Sequence, residues 1–293
     1  MILPMVIIVI LMRYLPMYGV LIAFKNYTVF KGVLGSPWAA EGGFGHFINF
    51  FNAPNSLLVL RNTFAIAILK LLTLSLPPVI LAVVLNEIKG RLFKKINQTI
   101  SYIPHFLAWV VVGGMFMTFF GASKDSPLNA LLLSLDIVEE PLIILNSTKF
   151  FWPILIVTDF WKGVGYGSII YLGVIATIDP NLYEAVEIDG GGRWAKIKYV
   201  TWPFLLETFV LLFILACGSI MSGGGSFDQC YIFGNPMNRS VSNILDVFIL
   251  RTGLELGRFS YATAVGLFKS VFNLMLLFFA NFVAKKVTAK SLF

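Results

Sequence analysis

The sequence contains few charged side chains. Only 13% of its 293 residues are Asp, Glu, Lys or Arg, whereas 58% are hydrophobic. A water-soluble domain has roughly 25% charged and about 45–50% apolar residues, so this chain has too little charge to cover a surface in water. Disorder is excluded for the converse reason, because disordered chains combine low hydrophobicity with high charge. The composition therefore predicts a polytopic membrane protein.

Cysteine is also scarce. Cys217 and Cys230 form no CxxC pair and have no histidine cluster beside them in the sequence, so neither a metal site nor a disulfide framework is indicated. The sequence has no G-x-x-x-x-G-K-[ST] phosphate-binding loop and no clustered acid, base or metal constellation such as a membrane enzyme acting on lipid-linked glycans needs. We expect no catalytic residue, no metal and no cofactor on this chain.

Long hydrophobic runs are present instead. A helix needs roughly 20 mainly apolar residues to cross the hydrocarbon core of a bilayer. We interpret six stretches as spans, at about residues 2–24, 63–85, 103–120, 153–177, 204–221 and 262–284. The expected fold is all-α, with one transmembrane domain of six helices over residues 1–293.

Basic residues are concentrated between these spans. Ten of the 22 lie in three short segments on one side of a six-span topology, namely Lys89, Arg91, Lys94 and Lys95, then Arg193, Lys196 and Lys198, then Lys285, Lys286 and Lys290. Lys and Arg accumulate in cytoplasmic loops. Both chain termini are therefore predicted to be cytoplasmic, and the net charge of +7 is mostly a consequence of orientation.

The loop at residues 179–203, between the fourth and fifth spans, carries helix start and stop signals. Asp179-Pro180 suits a helix N-terminus, with the aspartate as cap and the proline in the first turn. The run Gly190 to Gly192 ends that helix. A second short helix is expected to start near Arg193 and to end before Pro203. The product is a helix-turn-helix knob, suited to press into a groove of another protein.

The same loop resembles the EAA loop of ABC importer permeases. The family pattern is E-A-A-x-x-D-G-A-x-x-W, followed by an apolar residue, x-L-P and x-L-x-P. The matching residues here are Glu184-Ala185-Val186, Asp189-Gly190, Trp194, Val200 and Pro203. The chain departs from the pattern at Val186 and Gly191, which replace alanines, at Trp202, which replaces leucine, and at Glu207, which replaces the final proline.

Three further segments extend the resemblance over nearly the whole chain. Tyr14 to Gly19, Tyr102 to Phe106 and Phe259 to Ser270 are similar to the LplB-type polysaccharide and oligosaccharide permeases. The resemblance implies a MetI-like permease fold and one half of a heterodimeric pore in the bacterial cytoplasmic membrane. The implied partners are a second permease, two ATPase subunits that hold ATP and Mg²⁺, an extracellular solute-binding lipoprotein and an oligosaccharide, with no nucleic acid.

The resemblance gives the knob a coupling role. Glu184, Ala185, Asp189, Gly190 and Trp194 are expected to form the coupling helix and its turn. Gly190 permits a positive φ and a close backbone approach, while Glu184 or Asp189 can pair with an arginine of the ATPase. The alternative is that Asp189-Gly190 only ends the helix.

Ionisable residues within a span are candidates for the substrate pathway, because a charge at the bilayer centre costs roughly 2.5–3.5 kcal/mol on insertion scales. Asp159 and Lys162 lie three residues apart in the fourth span, with Trp161 and Tyr166 close by in sequence. Two interpretations remain open. These residues form a sugar-facing wall, or Asp159 and Lys162 form an ion pair that neutralises itself.

Asp228 and Gln229 are further candidates, because they follow a glycine run after the fifth span. Irregular backbone near membrane depth is tolerated only where protein or a water-filled cavity surrounds it. These two residues either meet substrate or belong to an ordinary extracellular loop. Lys70 and Lys269, within the second and sixth spans, are expected to snorkel or to pair inside the bundle.

These observations favour a carbohydrate importer permease that alternates its cavity between the two sides of the membrane. One alternative is a secondary transporter driven by an ion gradient, in which Asp159 and Lys162 are the coupling residues. Another is an ABC importer permease for amino acids or peptides.

Overall fold

The chain folds almost entirely into helices. The computed structural model describes residues 2–288, and that part contains no β-strand, only an isolated antiparallel bridge between Lys25 and Trp38. Lys290, one of the basic residues that predict the orientation, lies outside the described residues. The all-α prediction is confirmed.

The α-helices fall in two halves of the chain. The first eight are α1 Ile2–Val9, α2 Gly32–Gly35, α3 Gly45–Asn52, α4 Ser56–Leu74, α5 Pro77–Glu87, α6 Arg91–Tyr102, α7 Trp109–Phe119 and α8 Pro127–Ser134. The second eight are α9 Thr148–Ala176, α10 Pro180–Ile188, α11 Arg193–Lys196, α12 Trp202–Cys217, α13 Phe227–Phe233, α14 Arg239–Ser242, α15 Leu245–Leu250 and α16 Phe259–Thr288. Short 3₁₀ and π segments join several of them, at Ile10–Tyr14, Leu15–Phe24, Glu41–Gly43, Ile103–Phe106, Ile197–Thr201, Ile220–Ser222 and Arg251–Glu255.

Membrane spans are formed in two ways. Four continuous helical stretches are long and apolar enough to cross a bilayer, at Leu3–Phe24, Ser56–Glu87, Arg193–Cys217 and Phe259–Lys286. Two further stretches are bent pairs, Arg91–Phe106 with Trp109–Phe119 at 94° and Thr148–Ala176 with Pro180–Ile188 at 72°. Counting each bent pair as one span gives the six that the sequence predicts.

The prediction of one continuous helix for the third span is wrong. In place of one helix over residues 103–120, α6 runs through a 3₁₀ turn at Ile103–Phe106 and α7 leaves at 94° for only 11 residues. Pro104 has no N–H to donate and favours the tighter 3₁₀ turn. Leu107 then adopts an extended conformation that ends the helix.

The second half of the knob also differs from its prediction. The helix that starts at Arg193 does not stop before Pro203 but continues to Cys217. A π-helical turn at Ile197–Thr201 makes this possible, with the Trp202 N–H donating to the Ile197 carbonyl five residues back. The wider turn shifts the hydrogen-bond ladder just before the proline, which has no donor of its own.

Helix α9 lies at the centre of the bundle. Phe151 and Leu155 in its first half pack with Ile66 of α4 and Cys230 of α13. Its second half packs through Tyr171 and Ile175 against α5 and α12. The first span is different, because nearly all of it is exposed except where its end packs along α16. Packing on several sides therefore fixes the position of α9 and of the side chains that it carries.

Candidate functional site

A buried polar network crosses the bundle near the middle of α9. Lys70 of α4 lies 2.9 Å from a carboxylate oxygen of Asp159 and also donates to the side-chain oxygen of Gln229. The Gln229 amide donates to the Leu155 carbonyl at 3.0 Å and to the Thr158 hydroxyl at 2.8 Å. Lys70 and Gln229 are only 4% and 0% exposed. Each buried polar group in this network has a partner, as burial requires.

The pairing of charges differs from one of the two sequence interpretations. Asp159 pairs with Lys70 of another helix, so the predicted ion pair between Asp159 and Lys162 is wrong. The prediction that Lys70 and Lys269 pair inside the bundle is confirmed, because Lys269 forms an ion pair with Asp246.

A cavity of about 280 Å³ lies beside this network, between α4, α5, α9 and α12. Lys70 and Asp159 supply charge to its wall, and Tyr171, Phe209 and Ser219 are among its other lining residues. Sequence reasoning made Asp159 a candidate for the substrate pathway but did not include Lys70 among the candidates. The only signal that pointed to Lys70 was its charge within an apolar run, and its partner lies 89 residues away in sequence.

The glycine run after the fifth span closes this cavity. Gly223, Gly224 and Gly225 all have positive φ, which explains why the helix breaks here. A Cβ on Gly224 would lie 3.4 Å from the Cα of Ala67, so the loop approaches α4 closely. The break lets α13 enter the bundle and bring Gln229 to Lys70.

Asp228 and Gln229 are adjacent on α13 but differ in burial. Gln229 points into the bundle, so the extracellular-loop interpretation is wrong for this residue. Asp228 is exposed on the other side of α13 and forms no ion pair with any residue in the described range.

A second cluster surrounds Lys162. Its ammonium donates to the His105 carbonyl at 2.6 Å and lies 5.3 Å from the centre of the Trp109 ring. The His105 ring stacks on Tyr166, with ring centres 3.8 Å apart and an angle of 2° between the planes. Phe106 meets Tyr166 edge-on at 6.2 Å. We call His105, Phe106, Trp109 and Tyr166 the aromatic ledge.

Trp161 does not belong to the aromatic ledge. Trp161 follows Asp159 by two residues and therefore lies about 160° away from it around the helix. Asp159, Lys162 and Tyr166 share one face of α9, since they are spaced by three and four residues. Sequence reasoning did not assign His105 to the site, although the segment Tyr102 to Phe106 was one of the segments that carried the resemblance.

The knob has the local geometry that its sequence predicts in the first half. The Asp179 carboxylate accepts from the Asn181 N–H at 2.9 Å, so the cap is confirmed. Helix α10 ends at Ile188, and Gly190 has φ +79°. Glu184, Ala185, Asp189, Gly190 and Trp194 are all exposed, Trp194 by 81%.

Exposed apolar surface and free carboxylates make the knob suitable for docking. Ile188 is exposed by 87% and Trp194 by 81% in the same loop, and exposed apolar side chains of this size are typical of interaction surfaces. Glu184 and Asp189 form no ion pair with the described residues, so both carboxylates are available to a partner.

Three polar contacts hold the knob in place. The Arg193 guanidinium lies 2.6 Å from the Glu87 carboxylate at the end of α5. Lys196 pairs with Glu187 across the turn, and the Tyr183 hydroxyl lies 3.1 Å from that of Thr201. No sequence pattern indicates the contact between Arg193 and Glu87, because it joins segments that are far apart in the chain.

Val186 and Gly191, two departures from the alanines of the EAA pattern, lie against each other. A Cβ on Gly191 would lie 2.5 Å from Cγ1 of Val186, 2.8 Å from the backbone oxygen of Val186 and 3.0 Å from Cβ of Ala195. The larger residue at 186 therefore occupies the space that a side chain at 191 would need. The Val186 side chain thus accounts for part of the crowding at position 191, and the Val186 backbone oxygen accounts for another part.

Comparisons with known proteins agree with this geometry. Residues 76–289 match the family described as "Binding-protein-dependent transport system inner membrane component". Two relatives from Bacillus subtilis (strain 168) are each 40% identical to this chain. "Protein LplB" aligns over 96% of this chain and 86% of its own length. "Polygalacturonan/rhamnogalacturonan transport system permease protein YteP" aligns over 98% and 87%.

A solved structure extends the agreement to the whole fold. It is described as "Crystal structure of bacterial alginate ABC transporter in complex with alginate pentasaccharide-bound periplasmic protein". One of its chains superposes with a TM-score of 0.87 at 31% identity, covering 100% of this chain and 95% of that chain.

Proposed function

The chain belongs to the family of binding-protein-dependent transport system inner membrane components, and we propose that its role there is to import oligosaccharides through the cavity beside Lys70 and Asp159. It is a multi-pass membrane permease of an ABC transporter for carbohydrate, and it is a non-catalytic subunit whose ATPase is a separate partner. An oligosaccharide is proposed because the name of one relative at 40% identity specifies polygalacturonan and rhamnogalacturonan, and the structural relative is described as an alginate transporter.

The observation that carries the proposal is the continuity between the knob and the cavity walls. Helix α9, which supplies Asp159 and Tyr171 to the cavity, continues through a 72° bend into α10 of the knob. The other half of the knob runs without a break into α12, which supplies Phe209. A displacement of the knob therefore moves two walls of the cavity. This is the geometry that a rigid-body switch between inward and outward access requires.

The proposed coupling residues are those of the EAA resemblance. Ile188 and Trp194 supply apolar contact, and Glu184 and Asp189 pair with basic residues of the ATPase. Ala185 and Gly190 allow close approach, since neither has a long side chain. Residues 179–203 thus form the coupling loop of a single transmembrane domain.

The proposed substrate pathway runs along one face of α9. Asp159 and Lys70 supply polar groups at the cavity wall, and Gln229 positions Lys70 from behind. Lys162 and Tyr166 continue the polar face along the same helix. Asp228, exposed on α13, is a candidate contact for an entering glycan, whereas Trp161 faces elsewhere and is left out of this pathway.

The proposed complex lies in the bacterial cytoplasmic membrane. It contains this chain with both termini in the cytoplasm, a second permease subunit, two ATPase subunits that bind ATP and Mg²⁺, and a solute-binding lipoprotein outside. The complex of the structural relative with a periplasmic protein supports the last of these partners.

Reconstitution of the whole complex in proteoliposomes tests the proposal. We expect a lipoprotein loaded with oligosaccharide to stimulate ATP hydrolysis and uptake, and Gly190→Asp to abolish both, because aspartate resists positive φ and adds charge at the docking surface. Gly192→Asp, in the same turn with φ −83°, is the matched control for the backbone effect. Intact assembly and transport in the Gly190→Asp variant would contradict the coupling role.

Two alternatives have distinct outcomes in the same vesicles. Uptake driven by an ion gradient without any ATPase identifies a secondary transporter. Stimulation by loaded amino-acid or peptide-binding proteins, and not by glycans, identifies an importer of another solute class.

A further inference from the structure

Three lysines lie in the middle parts of the spans, away from their ends, and their charges are balanced differently. Lys70 pairs with Asp159, and Lys269 pairs with Asp246. Lys162 has no carboxylate oxygen within 4.0 Å of its ammonium among residues 2–288. A charge inside a bilayer is expensive unless it is paired or solvated. The charge of Lys162 therefore needs a source of compensation outside the described residues.

Lys162 lies where an uncompensated charge is most costly. It lies midway along the 29-residue α9 and is only 8% exposed. Of the three hydrogens on its ammonium, one is accepted by the His105 carbonyl, the single acceptor it has in the described part of the chain. Lys25 is also buried without a carboxylate, but it lies past the end of the first span and donates to two backbone carbonyls.

The surroundings of Lys162 indicate that this face of α9 is not in contact with lipid. The helix ladder is broken at Leu107 and Ala108, next to the carbonyl that Lys162 bonds. Broken backbone at membrane depth occurs only where protein covers it or water reaches it. Phe106 and Tyr166 of the aromatic ledge are exposed here, Tyr166 with a polar hydroxyl.

We propose that Lys162 and the aromatic ledge form a subsite for a uronate unit of an acidic oligosaccharide. The sugar carboxylate accepts the free hydrogens of the Lys162 ammonium and supplies the missing negative charge. The CH groups of the pyranose ring pack on the exposed rings of Tyr166 and Phe106. This inference rests on the proposed function and adds the charge class of the glycan.

A carboxylate of the second permease is the other source of charge that fits the lysine. Flat, exposed rings beside the cation favour the sugar, because a protein carboxylate needs only the ammonium whereas a pyranose has an apolar face that a ring can cover. The rings of His105 and Tyr166 are already stacked in parallel planes, so a sugar would bind without ordering these rings.

The test is uptake by the complete importer with its own lipoprotein in proteoliposomes. The probes are trimers of galacturonic, mannuronic and glucuronic acid and the neutral trimers of the corresponding hexoses. The variants are Lys162→Gln, which removes the charge, and Lys162→Arg, which keeps it. The amount of second permease that copurifies with each variant is measured alongside.

We expect the wild-type complex to take up at least one uronate trimer. Lys162→Gln should lower that uptake about 10-fold or more, since a hydrogen bond to a charged group is worth about 1.5–3 kcal/mol. Lys162→Arg should retain most of it, and Lys162→Gln should lower uronate uptake far more than uptake of any neutral trimer that is carried.

Four results overturn the inference. The first is uptake of neutral trimers alone. The second is an equal loss of acidic and neutral uptake in Lys162→Gln. The third is loss of the second permease from the Lys162→Gln complex, which would assign the missing carboxylate to that subunit. If no trimer is carried, the inference also fails, and the Gly190→Asp experiment decides separately whether the importer function stands.

Discussion

At the scale of single residues, Val186 and Gly191 share one small volume inside the knob. We expect Gly191→Ala to destabilise the complex by about 1–3 kcal/mol, because the added methyl overlaps Val186. Adding Val186→Ala, which restores both alanines of the EAA pattern, should recover only part of this loss, because it removes the contact with Cγ1 of Val186 but not the contact with its backbone oxygen, 2.8 Å from the built Cβ. Thermal unfolding of the two single variants and the double variant measures the coupling as a double-mutant cycle.

Gly192→Ala is the matched control for this cycle. Gly192 lies in the same turn, has negative φ, and a Cβ built on it meets nothing within 4 Å. Its unfolding temperature should stay close to that of the wild type. Additive effects of the Val186 and Gly191 changes would show that the two residues do not compensate each other.

The sequence predicts the residues whose roles are local. The cap at Asp179 and the positive φ at Gly190 depend on neighbours a few residues away, and the sequence patterns of helix ends encode such contacts. The partner of Asp159 was not predicted, because Lys70 and Lys162 were both available as charges and only tertiary packing selects between them. Proximity in sequence favoured Lys162 as the partner of Asp159, but the fold brings Lys70 closer to that carboxylate.

At the scale of helices, the crossing of α6 and α9 depends on Gly165. A Cβ on Gly165 would overlap the backbone oxygen of Ser101, so the two helix backbones touch there. Gly165→Ala should force the helices apart and displace the segment that carries His105 and Phe106. We expect a lower unfolding temperature of the complex and a loss of uptake, since a backbone atom cannot rotate away as a side chain can.

Gly173→Ala on the same helix is the control for Gly165→Ala. A Cβ on Gly173 meets nothing within 4 Å, and alanine is favoured over glycine in a helix by roughly 0.5–1 kcal/mol. This variant should be as stable as the wild type or slightly more stable. Equal unfolding temperatures for the two variants would mean that the contact between Gly165 and Ser101 does not constrain the crossing.

Helix bends are the part of the fold that hydropathy does not encode. A run of apolar residues gives the length of a span, so the six hydrophobic stretches were found, but it carries no direction. The 94° bend after Phe106 was therefore missed, although Pro104 marked the place. Pro203 had the opposite effect, because a proline that usually ends a helix was accommodated by a π-helical turn.

At the scale of the whole molecule, α9 joins three parts that the sequence treated separately. It supplies Asp159 to the cavity, holds Lys162 against the aromatic ledge and continues into the knob. The remote end of the knob is tied to α5 through Arg193 and Glu87. In the proposed coupling, a displacement of the knob would therefore act on α5, α9 and α12, all of which line the cavity.

A substitution of the exposed Trp194 can test the proposed docking of the knob without disturbing the fold. Because it is 81% exposed and contributes little to packing within the chain, Trp194→Ala should leave the unfolding temperature of the isolated permease unchanged. A buried aromatic at an interface is commonly worth about 2 kcal/mol or more, so affinity for the ATPase subunits should fall roughly 30-fold, with a parallel loss of uptake. Phe30→Ala, a fully exposed aromatic in the segment after the first span, serves as control and should leave ATPase binding intact. Equal ATPase affinity in the two variants, measured by titration of the permease in detergent, would place the contact elsewhere than on the knob.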